Sequence, residues 1–442
     1  MLFFSLEFYL FYVIFLASII YLNKFQRLII IIFSLLFYSF WNFYFIPLII
    51  FFCLSTILIL RKNYSLIISV IILITPLLYF KYSFFIFDLL NLDTLIKYTY
   101  TKEIPLALSF ITFSSIAAVI DRRNKLNNEY TLSNISEFIL YFPHLIAGPI
   151  LRLHELIPQL KKKIIFFVEN IKFGLIIFCI GYIKKVYFAD GIAGLIDPIF
   201  KEPHLQSNKD IIKAFLLFPI QIYFDFSGYI DMAFGISKIL GINLPQNFNK
   251  PYLSSSLTEF WRRWHITLSK WFRDYLYIPL GGSKVGIFKK NFNLLLTMTI
   301  AGIWHGASLN FILWGFLNGA ILCLEKQFGL DKSKYSVLKN FFTCFIIFNL
   351  WIVFRISDFS KLKFFFDILY SNIELIFVVE NLIALIFIIF LIFFQKFEIF
   401  FLIKEICKKI NVLYIFLFTI FVLVIGHSIS LGQQQKFIYF QF

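Results

Sequence analysis

Charge is what this 442-residue chain has least of: Asp, Glu, Lys and Arg together make up 15% of it, while 60% is hydrophobic and the mean hydropathy is +0.83. Globular domains carry about a quarter charged residues, so an ordinary soluble protein is excluded, and so is a disordered chain. Cysteine is scarce as well. Cys53, Cys179, Cys323, Cys344 and Cys407 stand singly in apolar surroundings, with no Cys-x-x-Cys pair and no histidine at ligand spacing. Neither a disulfide framework nor a metal site is expected. Also lacking are a phosphate-cradling Gly-rich loop, a Gly-x-Ser-x-Gly elbow, an internal repeat, and the period-2 alternation of a membrane β-barrel wall. Residues 1–22 have no basic n-region and no Ala-x-Ala-like site, and therefore read as a retained first span.

What the chain does have is apolar material in long runs. About 265 hydrophobic residues, 63 Phe among them, at roughly 20 residues per span, predict an all-α, polytopic integral membrane protein of about eleven transmembrane helices in a single membrane-embedded domain, 1–442. The runs lie near 3–22, 28–40, 44–60, 64–80, 104–120, 137–150, 164–183, 211–240, 292–325, 338–356, 374–395 and 411–430. A net charge of +16 would suggest nucleic acid in a soluble chain. Here the basic residues fall between the runs, where they set topology and meet the headgroups of the lipid bilayer, so no nucleic-acid partner is expected. The clusters Lys24/Arg27, Arg61/Lys62, Arg122/Arg123/Lys125, Lys161–Lys163, 250–290 and Lys396–Lys409 are placed in the cytoplasm. That puts both termini, the turn Trp41-Asn42 and the loop 81–103 outside. A single crossing over 292–325 would break the scheme, so this run is expected to split at Gly302–Gly306 into two legs returning to one side. Lys184 and Lys185 fit no loop of it.

Ionisable residues inside apolar runs cost several kcal/mol by insertion scales, so the ones retained are the leads. His305 lies in LLLTMTIAGIWHGASLNFILWGFLNGA, a run without formal charge, between Trp304 and Gly306. The alternative to a functional role is a core histidine satisfied by a neighbouring carbonyl. His265 lies in TEFWRRWHITLSKWFRDYLYIPLGG. Helical spacing there puts Trp261, His265, Leu268 and Phe272 on one face and Arg262, Lys270 and Arg273 mainly elsewhere. This predicts a basic amphipathic helix with its histidine on the apolar side, the alternative being an interfacial helix resting on headgroups. Asp225 and Asp231 interrupt QIYFDFSGYIDMAFG; a six-residue step separates their faces, and Asp225 shares its face with Tyr229. Either aspartate serves equally as a buried partner for an Arg or a His. His144 and His154, beside Pro149 and Arg152, are weaker candidates, and His427 reads as structural. On these residues alone, acyl transfer and ion-coupled transport both stand.

The same segments resemble the membrane-bound O-acyltransferase family, within it the branch of the alginate O-acetylation membrane subunit and the D-alanyl transfer protein of teichoic acid. The resemblance is carried by FPHLIAGPILR, GYIKKVYFAD, QIYFDFSGYIDMAFG, NFNKPYLSSSLTEFWRRWHITLSKWFRDYLYIPLGG, GIWHGASLNFILWG and the terminal FIYFQF, with a motif-rich core at about 105–355. It implies that His305 matches the histidine regarded as catalytic and His265 the second, upstream histidine. It implies a ring of tilted helices, with interfacial and re-entrant ones, around a thin central funnel in the bacterial inner membrane. Donor would enter from the cytoplasm and acceptor from the other side. The chain departs from the family pattern at Ala107, where Gly is usual, at Ser114 and His144, where Gln is common, and at Asn318, where a histidine is frequent.

The resulting chemistry needs no bound cofactor. Acetyl-CoA is an activated donor substrate, and the missing element is a base for a hydroxyl nucleophile, which a neutral imidazole supplies. His305 is expected to be that base, with His265 orienting the thioester carbonyl or sharing the proton. Arg262, Arg263 and Arg273 are expected to hold the CoA phosphates, with Asp225, Tyr229 and Trp304 as further substrate-binding candidates. The acceptor implied by the resemblance is a hydroxyl of an exported cell-envelope polysaccharide, alginate-like or peptidoglycan, or an extracytoplasmic carrier or transferase protein that passes the acetyl group on. The other readings are a proton- or acyl-coupled secondary transporter, which the lack of an inverted repeat disfavours, and a scaffold indifferent to loss of His305.

Overall fold

A backbone in hydrocarbon must satisfy its own hydrogen bonds, and the apolar runs do this as helices. The computed structural model describes residues 2–96, 104–124, 130–146, 148–330, 336–372, 378–394 and 399–430, and among these every regular element is helical. Lys125, Lys396, most of the far end of the 81–103 loop and the terminal FIYFQF lie outside the described residues. Among the described residues, six helices are long and apolar enough to cross a membrane: Phe43–Lys62, Leu66–Leu89, Asn208–Ile239, Leu309–Gln327, Val337–Arg355 and Val412–Ile429. Leu6–Tyr21 and Asn23–Ser39 form a further pair, bent by 105°. Other runs are cut into pieces. The run 137–150 is interrupted at Tyr141, whose φ −45 and ψ 97 end the helix Leu132–Leu140, and Pro143 then opens the short helix Phe142–Leu145.

The chain divides into two compact units. The first comprises the described residues up to Ile180 with Tyr229–Pro245 and Cys407–Leu423. One of its polar anchors joins a half-buried arginine to a buried glutamate. Arg27 donates from Nε to Glu137 Oε1 at 2.7 Å and from Nη2 to Glu137 Oε2 at 2.9 Å, a bidentate pair that secures the helix Gln26–Ser39. Gly174 and Gly235 let two helices touch: a Cβ at Gly174 would lie 2.7 Å from the Gly235 carbonyl oxygen. Ala107, which stands where the family pattern has glycine, takes a left-handed conformation at φ 58, ψ 13, just before the helix Leu108–Arg123.

The second unit comprises Gly181–Gly228, Gln246–Ile406 and the described residues from Val424. It resolves the placement of Lys185, which no loop would accept. Lys185 is 1% exposed, and its Nζ lies 2.6 Å from both Asp190 Oδ1 and Asp225 Oδ1. The buried cation offsets two buried carboxylates, so the partner of Asp225 is a lysine and not the expected Arg or His. The run 292–325 does split, into the helices Ile287–His305 and Leu309–Gln327. They pack glycine against backbone: a Cβ at Gly302 would meet Gly315 Cα at 2.9 Å, and one at Gly319 would meet Leu295 Cα at 3.0 Å. Gly302 is therefore not the break. The helix runs through it to His305, and the chain turns extended at Gly306, φ −165.

Candidate active site

The segment expected to be one amphipathic helix is two. Ser256 caps the first, Leu257–Arg263, by accepting from Glu259 N at 3.1 Å, while Glu259 reaches back to Ser255 N at 2.8 Å. The Glu325 carboxylate takes the next exposed donors, Leu257 N at 2.5 Å and Thr258 N at 2.9 Å. The helix stops at Trp264, and His265 follows in the left-handed region at φ 43, ψ 54, before the second helix, Ile266–Phe272. Such a conformation costs an L residue about 1–2 kcal/mol. The loop 247–249 supplies the compensation. Asn247 O accepts from Ile266 N at 3.0 Å, Asn247 Oδ1 accepts from Thr267 N at 3.0 Å and Thr267 Oγ1 at 2.9 Å, and Arg263 O accepts from Asn249 N at 2.9 Å. Backbone groups that a continuous helix would have paired internally are thus paired with this loop, which is why the helical periodicity misjudged the segment.

The break turns His265 inward rather than along an apolar face. The residue is 1% exposed, its Nδ1 lies 3.3 Å from Asn247 Oδ1, and its ring stands edge-on to Phe226 with centroids 4.7 Å apart. Burial pushes its pKa down to about 3, so the ring is neutral at pH 7. His305, 5% exposed, ends its helix inside an aromatic cage, with ring centroids 4.9 Å from Trp304, 5.1 Å from Trp314 and 5.1 Å from Phe354. Gly306 is required beside it, because any Cβ there would enter the Phe311 ring. Trp304 also meets the His265 ring, at 6.2 Å. Two imidazoles 40 residues apart in sequence therefore meet one indole.

Of the other predicted site residues, Trp304 joins this cluster and the rest do not. Arg262 is exposed, at the edge of the first short helix. Arg263 Nη2 already lies 2.6 Å from Glu259 Oε1, and Arg273 Nε lies 2.7 Å from Asp274 Oδ1, so two of the three arginines expected to face phosphates carry carboxylate partners. Asp225 is tied to Lys185, and Tyr229 belongs to the first unit, where its ring packs against Phe3 and Phe4. His144 is buried and stacked on Tyr141, His154 Nδ1 lies 3.5 Å from Asp121 Oδ2, and His427 is half-buried in the helix Val412–Ser430. Sequence reasoning missed Asn247, Trp314, Asn318 and Phe354 as site residues. Asn247 sits in a polar loop, where a polar residue draws no attention, and Trp314 and Phe354 lie in apolar runs among many other aromatic residues. Asn318 accepts from Trp261 Nε1 at 3.1 Å and donates to Trp314 O at 2.8 Å, bracing a wall formed with Phe260, Trp261, Trp314 and Trp351.

Chemically, the cluster offers neutral imidazole in a dry aromatic wall, the setting in which a histidine accepts a proton without competition from water. Comparison with known proteins agrees with the motifs that form it. The chain is 39% identical over 291 residues to the "Probable alginate O-acetylase AlgI" of Pseudomonas putida, covering 63% of this chain and 59% of that protein. It is 38% identical over 302 residues to the protein of the same name from Pseudomonas aeruginosa, covering 66% and 58%. To the peptidoglycan O-acetyltransferase of Helicobacter pylori it is 35% identical over 377 residues, covering 76% and 72%. The chain thus spans under six tenths of the length of these two alginate O-acetylases. The sequence model of the membrane-bound O-acyltransferase family matches residues 89–366, a stretch that contains both histidines, the broken helix and the glycine-packed hairpin, and the chain belongs to that family.

Proposed function

We propose that the protein is a membrane O-acyltransferase that moves an acetyl group from acetyl-CoA toward hydroxyls of an exported cell-envelope polysaccharide. The observation that carries the proposal is the pair of buried imidazoles that both meet the Trp304 ring, inside the block of motifs shared with the family. His305 removes the proton of the acceptor hydroxyl, its oxygen bonds to the thioester carbonyl carbon, the carbon–sulfur bond breaks, and the departing thiolate takes the proton back. Relatives named for alginate and for peptidoglycan support an envelope glycan as acceptor, alginate-like or peptidoglycan. The basic loop 250–290 is taken as the cytoplasmic face where donor arrives, with Arg262 an exposed cation three residues before His265. The setting is the bacterial inner membrane, and an extracytoplasmic transferase partner completes delivery. Of the residues the transporter reading drew on, Asp225 is tied to Lys185.

The test is alkali-labile acetate on the purified surface glycan, compared at matched membrane levels. His305→Ala leaves a gap in an aromatic cage, so the protein should accumulate while transfer falls by about 10² to 10⁴. His305→Gln should fail equally, since an amide accepts no proton at neutral pH. Wild-type acetate in the Ala variant would overturn the assignment.

A further inference from the structure

We propose that Asn247 fixes the tautomer of His265, with hydrogen on Nδ1 and a bare lone pair on Nε2, so that His265 shares the reaction's proton and does not orient the acyl carbonyl. The inference rests on the acyltransferase reading and decides between the two roles open to this histidine. Its first step is the orientation of the Asn247 amide. Thr267 N is a backbone donor 3.0 Å from one amide atom, which must therefore be the oxygen. The Thr267 hydroxyl meets the same atom at 2.9 Å. That oxygen only accepts, so the His265 Nδ1 lying 3.3 Å from it must carry the hydrogen. In a neutral imidazole the hydrogen then cannot also be on Nε2, and a nitrogen without hydrogen cannot donate to a carbonyl oxygen. His265 Nε2 is buried and has no hydrogen-bond partner among the described residues, so no other group competes for its lone pair.

The same contact prepares the protonated state. When Nε2 takes up a proton the ring becomes imidazolium, and the Nδ1–H bond to Asn247 Oδ1 becomes charge-assisted and stronger. The proton comes from the acceptor hydroxyl through the two-imidazole site and leaves with the thiolate, so no further reactant is needed. Asn247 also holds the left-handed turn at His265 through Ile266 N and Thr267 N. It is a positioning residue, and the two duties separate experimentally.

Asn247→Asp keeps an acceptor for the Thr267 groups and adds negative charge at Nδ1, which favours imidazolium. The pH at which the His265 ring becomes protonated, followed by ¹⁵N spectra of the histidine-labelled protein, should move up by about one unit or more. Asn247→Ala should lose rate without that upward movement. Superimposable titrations of the ring in Asn247→Asp and wild type would overturn the proposal. Should the variants fail to accumulate, ¹⁵N spectra of histidine-labelled wild type decide, with the His265 signal assigned by its loss in His265→Gln. A protonated Nδ1 and bare Nε2 are expected, and the opposite tautomer refutes the proposal. Absence of any transfer by wild type would instead sink the acyltransferase reading and leave the tautomer result standing alone.

Discussion

Gly302→Ala tests the packing that delivers His305. An added Cβ would lie 2.9 Å from Gly315 Cα and closer still to the Phe311 carbonyl oxygen, whereas ordinary contact begins at 3.4 Å. Relief requires the helices Ile287–His305 and Leu309–Gln327 to part by at least about 0.5 Å against backbone atoms that have no rotamer to change. Overpacking of this kind costs typically about 1–3 kcal/mol, and a backbone obstacle belongs at the upper end. His305 is three residues further along the same helix, so the displacement reaches its ring and the Trp314 contact that holds it. A misplacement approaching 1 Å costs on the order of 10²-fold in rate. Both consequences are measurable on one preparation: the melting temperature of detergent-solubilised protein followed by size exclusion, and acetate transferred at matched membrane levels. Gly286→Ala is the control. Nothing lies within 4 Å of its Cβ position and φ is −56, so the only loss is that of a helix N-cap glycine, about 1 kcal/mol or less, with no steric displacement and wild-type transfer. A Gly302→Ala protein with wild-type melting and wild-type transfer would refute the claim that close backbone approach positions His305.

Three further outcomes follow from the geometry. Lys185→Met leaves Asp190 and Asp225 buried without their cation and should destabilise by about 3–5 kcal/mol; the triple change with Asp190→Asn and Asp225→Asn should recover most of that, and failure of Lys185→Met to lower the melting temperature would refute the account. His265 is held neutral in the fold while an unfolded chain protonates it near pH 6.5. Its contribution is therefore fully present above pH 6.5 and is lost as pH falls toward 3, by about 1.4 kcal/mol per unit at most. Melting temperatures measured from pH 7.5 to 5 should decline less steeply in His265→Gln, and equal slopes would count against it. Arg262→Gln should raise the KM for acetyl-CoA with little change in kcat, whereas Arg263→Gln, which gives up the Glu259 contact, should move KM less; the reverse ranking would shift donor binding to Arg263.

Much of this protein follows from composition and local pattern. Low charge and long apolar runs determine an all-helical membrane protein, because hydrocarbon leaves an unpaired backbone no other recourse. The polar residues retained inside those runs mark His305 and Asp225 as places where something must meet them, His265 stands out on the apolar side of a basic segment and Lys185 as a cation no loop accepts, and the Trp-Arg-Arg-Trp-His and Trp-His-Gly blocks point to the family. The positive-inside rule also forces a split in the run 292–325, and the split is there, after His305. Only the tertiary structure decides what meets each group. Helical periodicity continues through Trp264 and His265, yet the chain breaks there because a loop 18 residues upstream takes the donors of Ile266 and Thr267. Lys185 looks misplaced until two carboxylates from positions 190 and 225 converge on it. Arginines read from sequence as free cations are spoken for at Arg263 and Arg273 by neighbouring carboxylates. A sequence lists donors, acceptors and charges with their local spacing; which of them pair is settled by long-range packing, where burial penalises every group left without a partner and so selects the arrangement that satisfies most of them.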